Sequence, residues 1–317
     1  MTGRALDREI FRLAIPALGT LAADPIVSLV DTAFVGQLGK TPLGALGVSV
    51  AVFSVAFFLF NFLAYGTTPL IAGAVARDDA DEAGRLTVGA LTLGFGIGLG
   101  ALILLQILAE PILQLMGAES ALLDDASLYL RIRVLGMPAV LLATVAHGVF
   151  RGFQDTKTPM WVTGSISVFN LILDPIFIFG LDAGLAGAAW ATVVAQWFGA
   201  GWFLLLLAVR RNEMAIAWVR PRRSELRSVL GASQALVLRT FALLGTLTLA
   251  TAVAARIGTV EVASHQVASQ VWLFLALVVD ALAIAGQAMI GRELAVDPQR
   301  AREVAGRLLG MGLIGGL

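Results

Sequence analysis

What most constrains this chain is a succession of long apolar stretches separated by short charged breaks. A helix needs about 20 mostly apolar residues to cross roughly 30 Å of hydrocarbon. The runs between charged or Pro/Gly-rich breaks predict eight complete spans, at about 10–36, 43–75, 86–109, 124–150, 158–180, 184–208, 226–257 and 260–291. A ninth run starts near Gly306 and reaches Leu317 after only about 18 Å of rise at 1.5 Å per residue, too short to cross. Composition agrees: 14% of the 317 residues are charged and 58% hydrophobic, against about 25% charged in a soluble domain. The 22 basic and 22 acidic residues balance, which argues against nucleic acid as a partner. With no cysteine, disulfides and thiolate metal sites are excluded. MTGRALDREIFR runs into an apolar stretch too long for a signal-peptide core, so it opens the first span.

Basic residues orient the spans. With the N-terminus in the cytoplasm, the inner segments hold Arg4, Arg8, Arg12, Arg77, Arg85, Arg151 and Lys157, then the basic linker from Arg210 to Arg227, then Arg292 to Arg307. The outer segments hold only Lys40, Arg131, Arg133 and Arg256, so the positive-inside rule sets the topology. The chain also repeats. A shift of 219 places Arg8 on Arg227, Thr32-Ala33 on Thr251-Ala252 and Asn61 on Asp280, and a shift of 222 superposes the AGRL at 83–86 on that at 305–308. Both copies start on the same side, so the repeats are parallel. The expected architecture is all-α and polytopic: a six-helix lobe over 1–218, and over 219–317 a second lobe of which about two and a half helices are present, a fragment of a twelve-helix protein.

Few spans carry interior charge, which singles out Asp24, Asp31, Asp174, Arg239 and Asp280. Such residues usually face a cavity or a partner, because a charge at the bilayer centre costs at least about 2.5–3.5 kcal/mol. Asp31 lies about 8 Å below the outer end of the first span. Asn170 and Asp174 share one face of the fifth, with Asp174 about 9 Å deep, and Thr192 lies about 12 Å into the sixth. Two carboxylates, an amide and a hydroxyl at one level compose a proton or hard-cation site, with Asp31 and Asp174 the metal ligands if the ion is sodium. Taken alone, Asn170 and Thr192 also fit an interhelical packing role. Asp24, nearly on the face of Asp31, is a cavity-lining candidate. Arg239 and Asp280 fall at one depth on adjacent spans, as a salt bridge or as cavity lining. Pro16 and Pro25 put a kink into the helix that carries Asp31, either a hinge or a static bend. Gly94, Gly96, Gly98 and Gly100 lie inside an apolar helix, where close packing is the expected role. His147 and His265 are too few for a histidine metal centre, and no HExxH or GxSxG pattern occurs, so no catalyst is visible and an enzyme is not expected.

Several segments resemble the multidrug and toxic compound extrusion (MATE) family, in detail its DinF-like branch: RLAIPALGTLAADPIVSLVDTAFVGQLG at 12–39, RGFQDTKTP at 151–159, NLILDPIFIFGLDAGLAGAAWATVVAQ at 170–196 and SHQVASQ at 264–270. The resemblance implies a twelve-helix exporter with two six-helix lobes around a cavity, exchanging amphipathic or cationic drugs for protons or sodium. It carries the family's first-helix acid onto Asp31, its bend proline onto Pro16, its fifth-helix Asn and Asp onto Asn170 and Asp174, and its sixth-helix Thr onto Thr192. A polar position before the RG loop, often Asn in relatives, is His147 here. It further implies no cofactor beyond the coupling ion, drug or toxin substrates, a monomer in the lipid bilayer, and a bacterial-type plasma (inner) membrane location. A lipid-linked oligosaccharide flippase of the same superfamily is the alternative, although its pyrophosphate cargo favours a cationic cavity.

Overall fold

A computed structural model describes residues 3–214 and 259–316, together with scattered positions between 227 and 253. The described residues are helical with no strand. Helix α1 spans Gly3–Gly36, α2 Lys40–Phe60, α3 Phe62–Ala76, α4 Ala80–Leu115 and α5 Ser120–Arg133. A short 3-10 turn, Val134–Gly136, leads into α6, Met137–Gly152; α7, Lys157–Pro175, continues as a π turn, Ile176–Gly180. Then come α8, Gly184–Val209, α9, Thr259–Leu294, and α10, Pro298–Gly316. Six helical stretches among the described residues are long and apolar enough to cross a membrane: Arg4–Gly36, Ala80–Leu115, Ala121–Gly152, Lys157–Gly180, Gly184–Val209 and Leu275–Leu294. The seventh expected span, 226–257, lies for the most part outside the described residues.

Two expected spans are composite. The one at 43–75 is divided at Asn61, whose carbonyl accepts from both Ala64 N and Tyr65 N and tightens the chain there. The one at 124–150 begins earlier, at Ser120, and passes through the 3-10 turn. Pro138 has no amide to donate to the Val134 carbonyl, so the α-helical ladder breaks just before it. Helix α1, by contrast, runs unbroken through Pro16 and Pro25.

Packing follows the apolar faces. One core joins α3, α4, α6 and α8 around Leu63, Leu141, Phe150 and Phe203. A second gathers the end of α1 with α2, α4, α5 and α8 around Val35, Leu113, Tyr129 and Leu130. Helix α9 lies along α1 and α3, and α10 packs on α9 and shares a core cluster with it and α1. The glycine stripe of α4 divides: Gly94 and Gly98 press against Val145 and Pro138 of α6, whereas Gly96 and Gly100 have nothing within 4 Å.

The RGFQDTKTP loop ties elements together at one end of the bundle. Gln154 Nε2 donates to the Ala288 carbonyl of α9 at 2.7 Å. Asp155 accepts from Thr158 N at 2.9 Å and Thr158 Oγ1 at 2.6 Å, closing the start of α7, and pairs with Arg210 at 2.9 Å. Burial opposes ionisation of Asp155, but the Thr158 hydrogen bonds and the Arg210 guanidinium outweigh it and hold the carboxyl below its ordinary 3.8. A depressed carboxyl contributes stability above its unfolded pKa and loses it as pH falls through the folded value. Asp155→Asn is therefore expected to cost about 1–2 kcal/mol at neutral pH. In detergent melts its Tm deficit against wild type should shrink as pH falls below about 4; a deficit that does not change with pH would contradict this role.

Candidate functional site

The site grows from the end of α7. Asn170 and Asp174 are one turn apart on one face and are 2% and 0% exposed. Asn170 Nδ2 donates to Asp174 Oδ1 over a long 3.4 Å. Pro175 follows at once, and without its amide the chain widens into the π turn, closed by Leu181 N donating to Ile176 O at 2.8 Å. Such turns are rare and recur at functional sites. Helix α8 admits this widened backbone only because residue 187 is glycine: a Cβ there would stand 2.5 Å from the Phe177 carbonyl oxygen.

From α1, Asp31 meets this corner. Its carboxyl and that of Asp174 lie within hydrogen-bonding reach of one another. Ionised, neither can donate, and Asp31 Oδ1, Asp174 Oδ2 and Asn170 Oδ1 are all buried with no hydrogen-bond partner. Buried oxygens of this kind are normally satisfied. Three in one place make a pocket of acceptors for a proton or a small hard cation. Among the described residues no group of three or more His, Cys, Asp or Glu gathers, so the donor set is carboxylate and amide oxygen. Thr192, 8% exposed on α8, gives its hydroxyl to the Ala188 carbonyl of its own helix at 2.9 Å. The structure thus brings Asp31, Asn170 and Asp174 together and turns the Thr192 proton to backbone.

Two side chains escaped the sequence reading. Tyr129, 2% exposed, stands within the field of Asp31 and Asp174. Arg133, counted there as an outer-segment residue, lies instead inside the Ala121–Gly152 span. Its Nη1 donates to Gln196 Oε1 of α8 at 2.8 Å, and its guanidinium sits 4.1 Å from the Phe53 ring centroid. A tyrosine or arginine near a span end carries no local signal of this. Only a count of helical turns from Ser120 would have placed them at depth.

A second polar cluster joins α9 to the first six spans. Asp280 accepts from Tyr65 Oη of α3 at 3.0 Å, and both feel the field of Arg151, which is 5% exposed in the last turn of α6. The expected Asp280 partner, Arg239, lies outside the described residues, as does the side chain of Asp24. His147 Nε2 is 3.2 Å from Thr163 Oγ1, and its ring meets Phe203 edge-on. It belongs with Arg151 rather than with the paired acids. Nearby, Arg292 pairs with Glu9 at 3.1 Å and Arg307 with Asp7 at 2.7 Å, fastening α9 and α10 to α1.

With this geometry in view, comparison with known proteins is informative. The MatE family model matches residues 16–176. Protein DETOXIFICATION 44, chloroplastic, of Arabidopsis thaliana is 38% identical over 98% of this chain and 62% of its own length. DNA damage-inducible protein F of Escherichia coli K12 is 29% identical over 90% of this chain and 63% of its own. The chain therefore spans somewhat under two thirds of the length of these relatives. Among solved structures, a MATE in the straight conformation superposes with a TM-score of 0.89 at 23% identity, covering 98% of this chain and 70% of that one, a likeness of fold.

Gly187→Ala is expected to cost about 1–3 kcal/mol through the forced shift of the π turn, read as a lowered Tm in detergent. Gly201→Ala on the same helix, with nothing within 4 Å, should leave Tm unchanged or slightly raised. Equal melting of the two variants would contradict the close approach.

Proposed function

Since the chain belongs to the MatE family of membrane transporters, we propose that it is part of a secondary active multidrug exporter, moving amphipathic or cationic compounds outward in exchange for protons or sodium. In this reading residues 1–218 form the lobe that holds the coupling ion and 219–317 belong to the second, parallel lobe. The N-terminus is cytoplasmic in a bacterial-type inner membrane, and the protein works as a monomer without a cofactor and without catalysing a covalent step.

One observation carries the reading: two carboxyls from helices far apart in sequence meet inside an apolar bundle with unpartnered oxygens. Two adjacent carboxylates in such surroundings are costly. A proton between them, or a sodium ion on their oxygens with Asn170, removes that cost. A ligand shifts a conformational equilibrium only by its differential affinity for the two states, so loading this pair can drive drug release if it favours one shape of α1. The prolines at 16 and 25 interrupt the hydrogen-bond ladder of that helix and supply its places to bend. A flippase for lipid-linked saccharides is less well supported. The half-buried Arg133 and the buried Arg151 face protein side chains, whereas a pyrophosphate cargo requires open ones.

Asp31→Asn and Asp174→Asn, made in the full-length transporter and reconstituted in liposomes, are each expected to reduce gradient-driven drug export to the level of protein-free vesicles. Imposed proton and sodium gradients, compared in the wild type, identify the driving ion. Undiminished export by either variant would reject the site.

A further inference from the structure

A groove of about 490 Å³ runs along the seam between the first turns of α1 and of α7, lined by Arg8, Phe11, Arg12, Ile15 and Pro16 of the one and Lys157 of the other. Arg8 and Arg12 are one turn apart on one face, and Lys157 is the first residue of α7. All three cations are exposed. The acids beside them in sequence are committed elsewhere: Asp7 to Arg307 at 2.7 Å, Glu9 to Arg292 at 3.1 Å and Asp155 to Arg210 at 2.9 Å. Among the described residues no acid pairs with Arg8, Arg12 or Lys157. Like charges gathered in this way repel one another, so the groove favours an anion.

The surface next to the cations points to the kind of anion. Phe11 and Ile15 stand exposed among them, and Trp161, one turn beyond Lys157 on the same face of α7, is 70% exposed. From Trp161 a second groove, of about 540 Å³, continues between α7 and α8 past Val168 and Ile172 on one side and Phe198 and Trp202 on the other. Phe169 and Phe198 form its floor with ring centroids 4.7 Å apart, and Gly164 adds no side chain to fill it. One path therefore leads from three cations at the starts of two membrane-crossing helices onto an apolar track. Trp161 to Ile172 rises about 16 Å, the depth of one leaflet of a hydrocarbon core about 30 Å thick.

We propose that this path holds one anionic phospholipid of the leaflet in which α1 and α7 begin, the cytoplasmic one in the orientation proposed above. Arg8, Arg12 and Lys157 take its phosphate, and an acyl chain lies over Ile15 and Trp161 and along the α7–α8 groove. Arginine suits the phosphate because its planar fork donates to two oxygens at once. A soluble anion would use the cations and leave the apolar track bare. A zwitterionic lipid would use the track but bring its ammonium to the cations. Pro16 lines the same groove, so the lipid rests against one of the two prolines of α1. The site is separate from the paired acids and does not depend on which compound is exported.

The test uses the full-length protein in phosphatidylcholine vesicles that carry a fixed minor fraction of either phosphatidylglycerol or phosphatidylcholine brominated in its acyl chains, which quench tryptophan on contact. The signal of Trp161 is wild type minus Trp161→Phe. Brominated phosphatidylglycerol is expected to quench it more than brominated phosphatidylcholine at the same fraction. Arg8→Gln, Arg12→Gln and Lys157→Gln should each lower that preference about fivefold, the effect of one charge near the membrane surface. Arg4→Gln, on the same helix but outside the groove, should leave it unchanged. Equal quenching by the two lipids, or none by either because another segment covers the seam, overturns the proposal, and this wild-type comparison decides even if a variant fails to fold. An equal loss with Arg4→Gln shows a diffuse attraction to the surface and overturns it too. So does a preference abolished by millimolar inorganic phosphate, which assigns the groove to a soluble anion.

Discussion

Two carboxyls brought within reach of one another inside an apolar bundle, each with one oxygen that no donor satisfies, are the constraint around which this corner of the structure is organised. Asp31 and Asp174 come from helices that pack side by side, and Asn170 donates to one oxygen of Asp174. The local features around them serve that meeting. Pro175 ends the regular ladder one residue after Asp174, the π turn that follows swings the chain aside, and Gly187 lets α8 close over it. Take away the acids and these irregularities lose a common purpose.

The other end of the bundle has the opposite character. There charges from several helices are paired: Glu9 with Arg292, Asp7 with Arg307, Asp155 with Arg210, and Asp280 beside Tyr65 and Arg151. Pro69 presses on Gly291 so closely that a Cβ on the glycine would lie 2.8 Å from the proline Cα. One end of the described structure thus holds acceptors without partners, and the other is closely packed and laced with ion pairs.

Much of this was legible in the sequence. Hydrophobic run length reports membrane crossing directly, so the spans 158–180 and 184–208 match the structure nearly residue for residue. Depth along a helix follows from a fixed rise, so Asp31, Asn170 and Asp174 could be expected at one level before any coordinates. Depth says nothing of azimuth. Nor does it say which partner a side chain takes: the Thr192 hydroxyl donates to its own backbone and Asp280 accepts from Tyr65, while Arg239, the partner expected for Asp280, lies outside the described residues. Arg133 was missed for a related reason. Charge counting assigns an arginine to a flank unless something shows that the flank is inside, and here that something is a phenyl ring and an amide contributed by two other helices.

The central claim is that Asp31 and Asp174 bind the exchanged cation as a pair. Gradient-driven drug export by the full-length protein in liposomes, wild type against Asp31→Asn, Asp174→Asn and the double variant, measures it most directly. The account requires each single variant to fall to the level of the double variant. Export by either single variant at the wild-type level, or at a level between wild type and the double variant, would contradict it.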